Sequence, residues 1–181
     1  VERYITDTAF ENGWVKPISP VRERPETIGI IGAGPGGLAA AEMLRRQGYE
    51  MHVYDRYDRV GGLLIYGIPN FKLDKKIIQR RAQLLIDGGV KFHLNFEVGR
   101  DASLSELRAR HEAILIATGA YKSRDIKVPG VGLKNIHMAM DYLTASNRKG
   151  LGDTVPRFED GGLNAEGKNI VVIGGGDTAM D

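Results

Sequence analysis

Apolar residues fall along this chain in short runs of strand length, separated by longer stretches of helical period, and the alternation predicts a β-α-β organisation. Thr27-Ile28-Gly29-Ile30-Ile31 is the first apolar run, Glu50 to Tyr54 the second and Lys91 to Leu94 a short third. Ala113 to Ala117 is continuously apolar, the pattern expected of a strand buried on both faces, and Asn169 to Ile173 is a fifth strand-like run. Leu38 to Gln47 reads as a helix that Gly48 stops. Asp74 to Asp87 places Ile77, Ile78, Ala82 and Leu85 on one side of a helix, with Lys76, Arg80, Gln83 and Asp87 on the other. Ser103-Leu104-Ser105-Glu106 has the form of a capping box opening a helix to about His111, and His137 to Asn147 is a further predicted helix. Val1 to Phe10 predicts a short helix inside a polar lead-in that Pro17, Pro20 and Pro25 keep out of the sheet. Asp58 to Gly62 is a turn, Leu63 to Leu73 an apolar irregular loop, and Arg148 to Gly167 a glycine-rich connection with little regular structure.

The first strand runs into Gly32-Ala33-Gly34-Pro35-Gly36-Gly37, a G-x-G-x-x-G turn, and the second closes on Asp55. Each residue has a physical task in that layout. Gly32 permits the tight turn, Gly34 lets a pyrophosphate approach the backbone, and Gly37 and Ala41 allow the helix to pack closely. The unpaired N–H groups and positive dipole end of the helix face the phosphates. Asp55 stands where a carboxylate accepts hydrogen bonds from ribose hydroxyls. A glycine turn that served packing alone would leave the acidic residue at the end of the second strand unexplained. Gly174-Gly175-Gly176-Asp177-Thr178-Ala179 then begins the same strand-turn-helix sentence again. Two such units in one chain follow the plan of flavoproteins that hold FAD in one domain and a nicotinamide dinucleotide in another. The expected fold class is α/β, a Rossmann-type FAD-binding domain with only the start of a second nucleotide-binding domain. The domain boundaries drawn are a lead-in at 1–26, an FAD-binding domain at 27–147, a connection at 148–168 and the opening of the second domain at 169–181.

Composition narrows the classes further. The chain has 181 residues, 42% hydrophobic and 27% charged, with 24 glycines and a formal net charge of +2, which gives no footprint for nucleic acid or a membrane surface. Its apolar runs are far too short to span a bilayer. The absence of cysteine excludes disulfides, thiolate ligands and a redox dithiol within these residues, and a cytoplasmic setting is expected. No acid–base pair or nucleophile demands a catalytic role, and His93, His111 and His137 lack metal-ligand spacing.

Several longer motifs resemble the small (beta) subunit family of bacterial NADPH-dependent glutamate synthase. Asp7-Thr8-Ala9-Phe10-Glu11-Asn12-Gly13-Trp14 resembles the segment that follows the family's cysteine-rich iron–sulfur domain. Gly61-Gly62-Leu63-Leu64-Ile65-Tyr66-Gly67-Ile68-Pro69-Asn70-Phe71-Lys72-Leu73 resembles its flavin-proximal loop. Ala117-Thr118-Gly119-Ala120 matches a strand-end turn touching FAD, and Val172 to Asp181 the opening of the NADPH domain. The resemblance implies an oxidoreductase in which NADPH gives hydride to FAD. FAD passes electrons through iron–sulfur clusters to the glutamate synthase large (alpha) subunit, where glutamate is formed from 2-oxoglutarate and ammonia.

The same resemblance implies a site set. Gly32, Gly34, Gly36 and Gly37 hold the FAD pyrophosphate, Asp55 the ribose, and Gly62 and Leu63 lie along the cofactor. Val98 meets the adenine through its backbone, Thr118 and Gly119 close over the flavin side, and Gly175, Gly176, Asp177 and Thr178 open the NADPH site. The family's upstream cysteines are absent, so iron–sulfur clusters are expected only in a region preceding these residues. The chain reads as a piece of a longer polypeptide, inactive by itself. Alternatives are a related NAD(P)H-dependent flavoprotein feeding dihydropyrimidine dehydrogenase or ferredoxin, and a binding-only module. Among the remaining residues, Lys72, Lys75, Lys76, Arg80 and Arg81 are expected to form a solvated basic face, or else to dock a partner or attract NADPH. His52 has a packing or hydrogen-bonded role in its strand in preference to a ligand role, and Trp14 either anchors a partner or pins the lead-in.

Overall fold

A computed structural model describes residues 1–122 and 126–181. A parallel sheet of four strands forms the centre, in the order β3-β2-β1-β4, with β1 at Thr27–Ile31, β2 at Glu50–Tyr54, β3 at Lys91–His93 and β4 at Ala113–Ile116. Ile30 of β1 lies opposite Val53 on one side and Leu115 on the other. The two-residue period of a strand sorts the side chains between faces. Ile28, Ile30, Met51 and Val53 join Leu38, Ala41, Leu85 and Val90 in the main core. Tyr54 and Ile31 point the other way, into a smaller cluster with Ala102, Leu107 and Val98.

Helix α1 (Glu2–Glu11) precedes the sheet, and α2 (Pro35–Arg46) starts at a proline whose missing N–H belongs to a group the helix would leave unpaired. α2 buries Gly37, Leu38 and Ala41, one helical face, against β1 and β2. α4 (Lys75–Asp87) is capped by the Asp74 side chain accepting from Lys76 N, and it buries Ile78 and Leu85, with Ile77 and Ala82 half-buried beside them. The Ser103–Glu106 capping box is present in both directions at the start of α5 (Leu104–Arg110).

The structure departs from the sequence pattern in four places. β4 is not buried on both faces: Leu115 and Ile116 are 40% and 62% exposed, because β4 pairs with β1 on one side and with nothing on the other among the described residues. Residues 169–173 have strand composition yet form no strand, because among the described residues no backbone lies in register to bond them; Val171 and Ile173 are 86% and 77% exposed. The apolar loop after Gly62 contains a helical turn, α3 (Leu63–Tyr66), whose Ile65 and Tyr66 are buried. The connection is also more regular than its composition suggests: α6 (Ala139–Gly150) carries helix to Gly150 and α7 (Pro156–Glu159) adds a turn.

Candidate dinucleotide site

The glycine turn stands at the carboxyl end of β1, where β2 lies to one side and β4 to the other, the place where open parallel sheets bind ligands. Gly32 takes φ +112, and a side chain there would run into the Ala117 carbonyl at the end of β4. Gly37 is equally closed, since an added Cβ would strike the Gly32 carbonyl and lie 3.4 Å from Ile30 Cγ2. Gly34 and Gly36 are the opposite case: an added Cβ at either meets nothing within 4 Å. Gly34 is the N-cap of α2, extended at φ −78 and ψ −175, and supplies no side-chain acceptor to the first helical turn. The result is an open cradle under the N–H groups of Gly36 and Gly37, with the positive end of a twelve-residue helix behind it.

Asp55 is 8% exposed and its carboxylate is already engaged. Oδ2 accepts from Ala33 N at 2.6 Å, and Oδ1 accepts from Tyr57 N at 2.9 Å. A carboxylate has about four acceptor positions, so two remain. Asp55 therefore fixes the glycine turn before any ligand is considered, a role its position at a strand end did not disclose.

Two further segments wall the cradle. Gly61 N donates to Ala33 O at 2.9 Å, and a Cβ on Gly62 (φ +55) would come within 2.9 Å of Gly34 Cα. The residue that follows, Leu63, is 44% exposed. From β4, Ala117 N donates to Ile31 O at 2.8 Å, which brings exposed Thr118 and Gly119 (φ +71) beside Gly32. Gly32, Gly34, Gly36, Gly37, Asp55, Gly62, Leu63, Thr118 and Gly119 thus belong to one region. Val98 lies further out, half-buried in the cluster of Tyr54, Ala102 and Leu107. Gly175, Gly176, Asp177 and Thr178 form a separate exposed turn that repeats the first in backbone conformation. Gly174 takes φ +140 where Gly32 takes +112. Gly176 caps α8 (Asp177–Met180) at φ −88 and ψ 178, close to the values at Gly34.

The basic run is not a uniform solvated face. Lys75 is buried and donates from Nζ to the carbonyls of Leu64, at 3.0 Å, and Ile68, and burial lowers its pKa. Arg80 pairs with Asp7 at 3.0 Å and covers the Phe10 ring at 3.8 Å, Arg81 pairs with Glu42, and Lys72 pairs with Asp181. Only Lys76 of the five is exposed without a recorded acidic partner among the described residues. Sequence inspection overlooked Lys75 although a signal existed: it falls three positions before Ile78 and so shares the buried face of α4. His52 sits within hydrogen-bond distance of His93 (2.9 Å) and Glu50 (3.1 Å), while His111 pairs with Tyr54 at 2.9 Å and Thr27 at 3.0 Å. Trp14 is 70% exposed, and so most of its surface faces solvent.

Among the described residues no helix is long and apolar enough to cross a membrane. Residues 26–181 match the family described as pyridine nucleotide-disulphide oxidoreductase. The chain is 66% identical, over all 181 residues, to a glutamate synthase [NADPH] small chain of Azospirillum brasilense, and spans 38% of that protein. It is 44% identical to the corresponding small chain of Bacillus subtilis (strain 168), covering 100% of this chain and 36% of that one. Among solved structures it resembles FprA of Mycobacterium tuberculosis in complex with NADPH, with a TM-score of 0.63 and 26% identity, over 68% of this chain and 29% of that chain. The matched family covers the sheet, the glycine turn, Asp55 and the second glycine turn together, and the chain belongs to the pyridine nucleotide-disulphide oxidoreductase family.

Proposed function

We propose that this chain is the FAD-binding portion, with the start of the NADPH-binding portion, of a glutamate synthase small subunit. The observation that carries the reading is the cradle at Gly34 and Gly36, open where a side chain would stand and bounded by Asp55, Gly62 and Thr118. The open backbone at Gly34 and Gly36, at the positive end of α2, suits a pyrophosphate, and the residues present therefore fit FAD. The 66% identity to a named small chain supports assigning the electron donor as NADPH and the wider product as glutamate.

In this reading residues 27–147 hold FAD, 1–26 lead in from an iron–sulfur domain, 148–168 connect, and 169–181 open the NADPH domain. Gly32, Gly34, Gly36 and Gly37 hold the pyrophosphate, with the N–H groups of the first α2 turn as donors. Asp55 offers its two free acceptor positions to the ribose while it keeps Ala33 and Tyr57 in place. Gly62, Leu63, Thr118 and Gly119 exclude water along the cofactor, and Val98 borders the adenine end. Gly175, Gly176, Asp177 and Thr178 receive the NADPH pyrophosphate. FAD held by these residues would supply the redox chemistry between a hydride donor and one-electron acceptors in iron–sulfur centres and the large subunit. The setting is the cytoplasm.

The test is titration of the purified protein with FAD, followed by flavin fluorescence and visible absorbance. Saturable binding with one FAD per chain is expected, and Gly34→Val abolishes it. Absence of binding by the wild-type protein at high micromolar FAD overturns the reading.

A further inference from the structure

Asp58 and Arg59, in the turn before Gly61, meet Arg148 near the end of α6 and Asp153 beyond it. Arg59 donates to Asp153 twice, Nη1 to Oδ2 at 2.8 Å and Nη2 to Oδ1 at 2.6 Å. Arg148 donates from Nη1 to Asp153 Oδ2 at 3.3 Å and from Nη2 to Asp58 Oδ1 at 3.1 Å. Arg59 Nη1 also reaches Asp58 Oδ2 at 3.1 Å, which closes a ring of four alternating charges. Tyr66 of α3 stands in it: its hydroxyl donates to Asp58 and accepts from Arg59 at 3.1 Å, and the Arg148 guanidinium lies 5.0 Å over its ring. The planar forks of the two arginines fix orientation as well as charge. The Arg59 guanidinium holds the Asp153 carboxyl below the usual carboxylate range.

The loop gripped by this ring is the one that walls the cradle. Gly61 is bonded to Ala33, Gly62 rests on Gly34, and Asn147 of α6 donates from Nδ2 to Tyr66 O at 3.0 Å. The Gly61–Tyr66 segment is thus held by the glycine turn on one side and by α6 and the connection on the other.

We propose that the Asp58–Arg59–Arg148–Asp153 ring is a clamp through which α6 and the connection position the Gly62–Leu63 wall against bound FAD. The inference rests on the FAD reading above. Asp153 makes no hydrogen bond to the glycine turn, so it is a positioning residue: without it Arg59 loses its two-pronged partner and its tie to Arg148, and the wall relaxes from the cofactor.

The test is FAD titration of Asp153→Ala, Asp153→Glu and Arg59→Lys, with visible circular dichroism of the saturated flavin and urea unfolding of each apo-protein. Asp153→Glu keeps the carboxylate, and Arg59→Lys keeps the charge and loses the fork. Asp153→Ala and Arg59→Lys are expected to weaken FAD about tenfold and to alter the flavin dichroism, and Asp153→Glu to retain most of both. An unchanged dissociation constant and spectrum in Asp153→Ala, beside a wild type that binds FAD, overturns the clamp. Lowered stability with unaltered flavin dichroism at saturation also overturns it, because the ring then serves folding alone. A wild type that takes up no FAD overturns the underlying reading, and the clamp with it.

Discussion

Replacing Asp55 with alanine removes the acceptor that holds the glycine turn at Ala33 and the one that holds Tyr57, and the two losses differ in size. Ala33 is fully buried, so its N–H, now bonded to Asp55 Oδ2 at 2.6 Å, has no water to turn to. A buried donor left without a partner costs about 1–3 kcal/mol. Tyr57 is only half-buried, so water takes up its N–H and that loss is about 0.5–1.5 kcal/mol. Asp55→Ala therefore destabilises the apo-protein by about 1.5–4.5 kcal/mol, a large share of the ~5–15 kcal/mol that holds a typical domain together. Urea unfolding without nucleotide measures it: the midpoint falls and the slope is unchanged. Asp55→Asn retains one carbonyl acceptor but sets an amide N–H₂ against a backbone donor, so it falls between wild type and alanine. A change within about 0.5 kcal/mol in Asp55→Ala refutes the argument, because such a value belongs to a solvated surface position. FAD affinity is read separately, on variant that remains folded, and a loss of roughly ten- to a hundredfold is expected from the absent ribose bonds.

Three further outcomes follow from neighbouring geometry. Gly34→Val and Gly37→Ala separate binding from folding within one motif. The first meets open space and an extended backbone, so it loses FAD while losing only about 1 kcal/mol of helix capping. The second drives a Cβ into the Gly32 carbonyl and lowers stability by about 1–3 kcal/mol or more; far-ultraviolet dichroism during urea unfolding distinguishes them. Burial, reinforced by neighbouring positive charge, lowers the pKa of His93 and His111. The unfolded chain then binds protons first, so stability is retained above about pH 6.5 and declines as pH falls below it. Unfolding midpoints at pH 7.5, 6.5 and 5.5 check this, with His93→Gln flattening the profile; a flat wild-type profile would contradict it. Ser103→Ala deletes one half of the α5 capping box and should cost about 1 kcal/mol in the same assay.

The β1-turn-α2-β2 unit was legible because everything that specifies it is local. Gly32 needs a positive φ, Pro35 suits a first helical position, and Gly37 must lack a side chain, all within a few residues. The Ser103 capping box was legible for the same reason. Burial of β4 was not, since Ala113-Ile114-Leu115-Ile116 records that the side chains are apolar without saying what lies against them. Residues 169–173 make the same point: strand composition without a backbone in register yields no strand. The α3 turn depends on positive φ at both Gly61 and Gly62 and on Lys75 reaching the carbonyls of Leu64 and Ile68, none of which periodicity reports. In the candidate site, the position of Asp55 could be read from its place after β2, but its bond to Ala33 required the fold. The association of His52, His93 and His111 arises from strand order, and Gly29 makes room for it, since a Cβ there would lie 2.8 Å from His111 Cδ2.

The bare outer margin of β4 has a practical consequence for the protein in solution. Its four residues carry no charge and no proline, and among the described residues nothing bonds the backbone groups that face outward. Such a margin is a template on which another extended segment can crystallise by hydrogen bonding, whether a neighbouring segment of polypeptide or a second molecule. The apolar side chains and free backbone of this margin suit a further strand laid against β4, and a lysine in place of the outward Ile116 would disfavour that pairing.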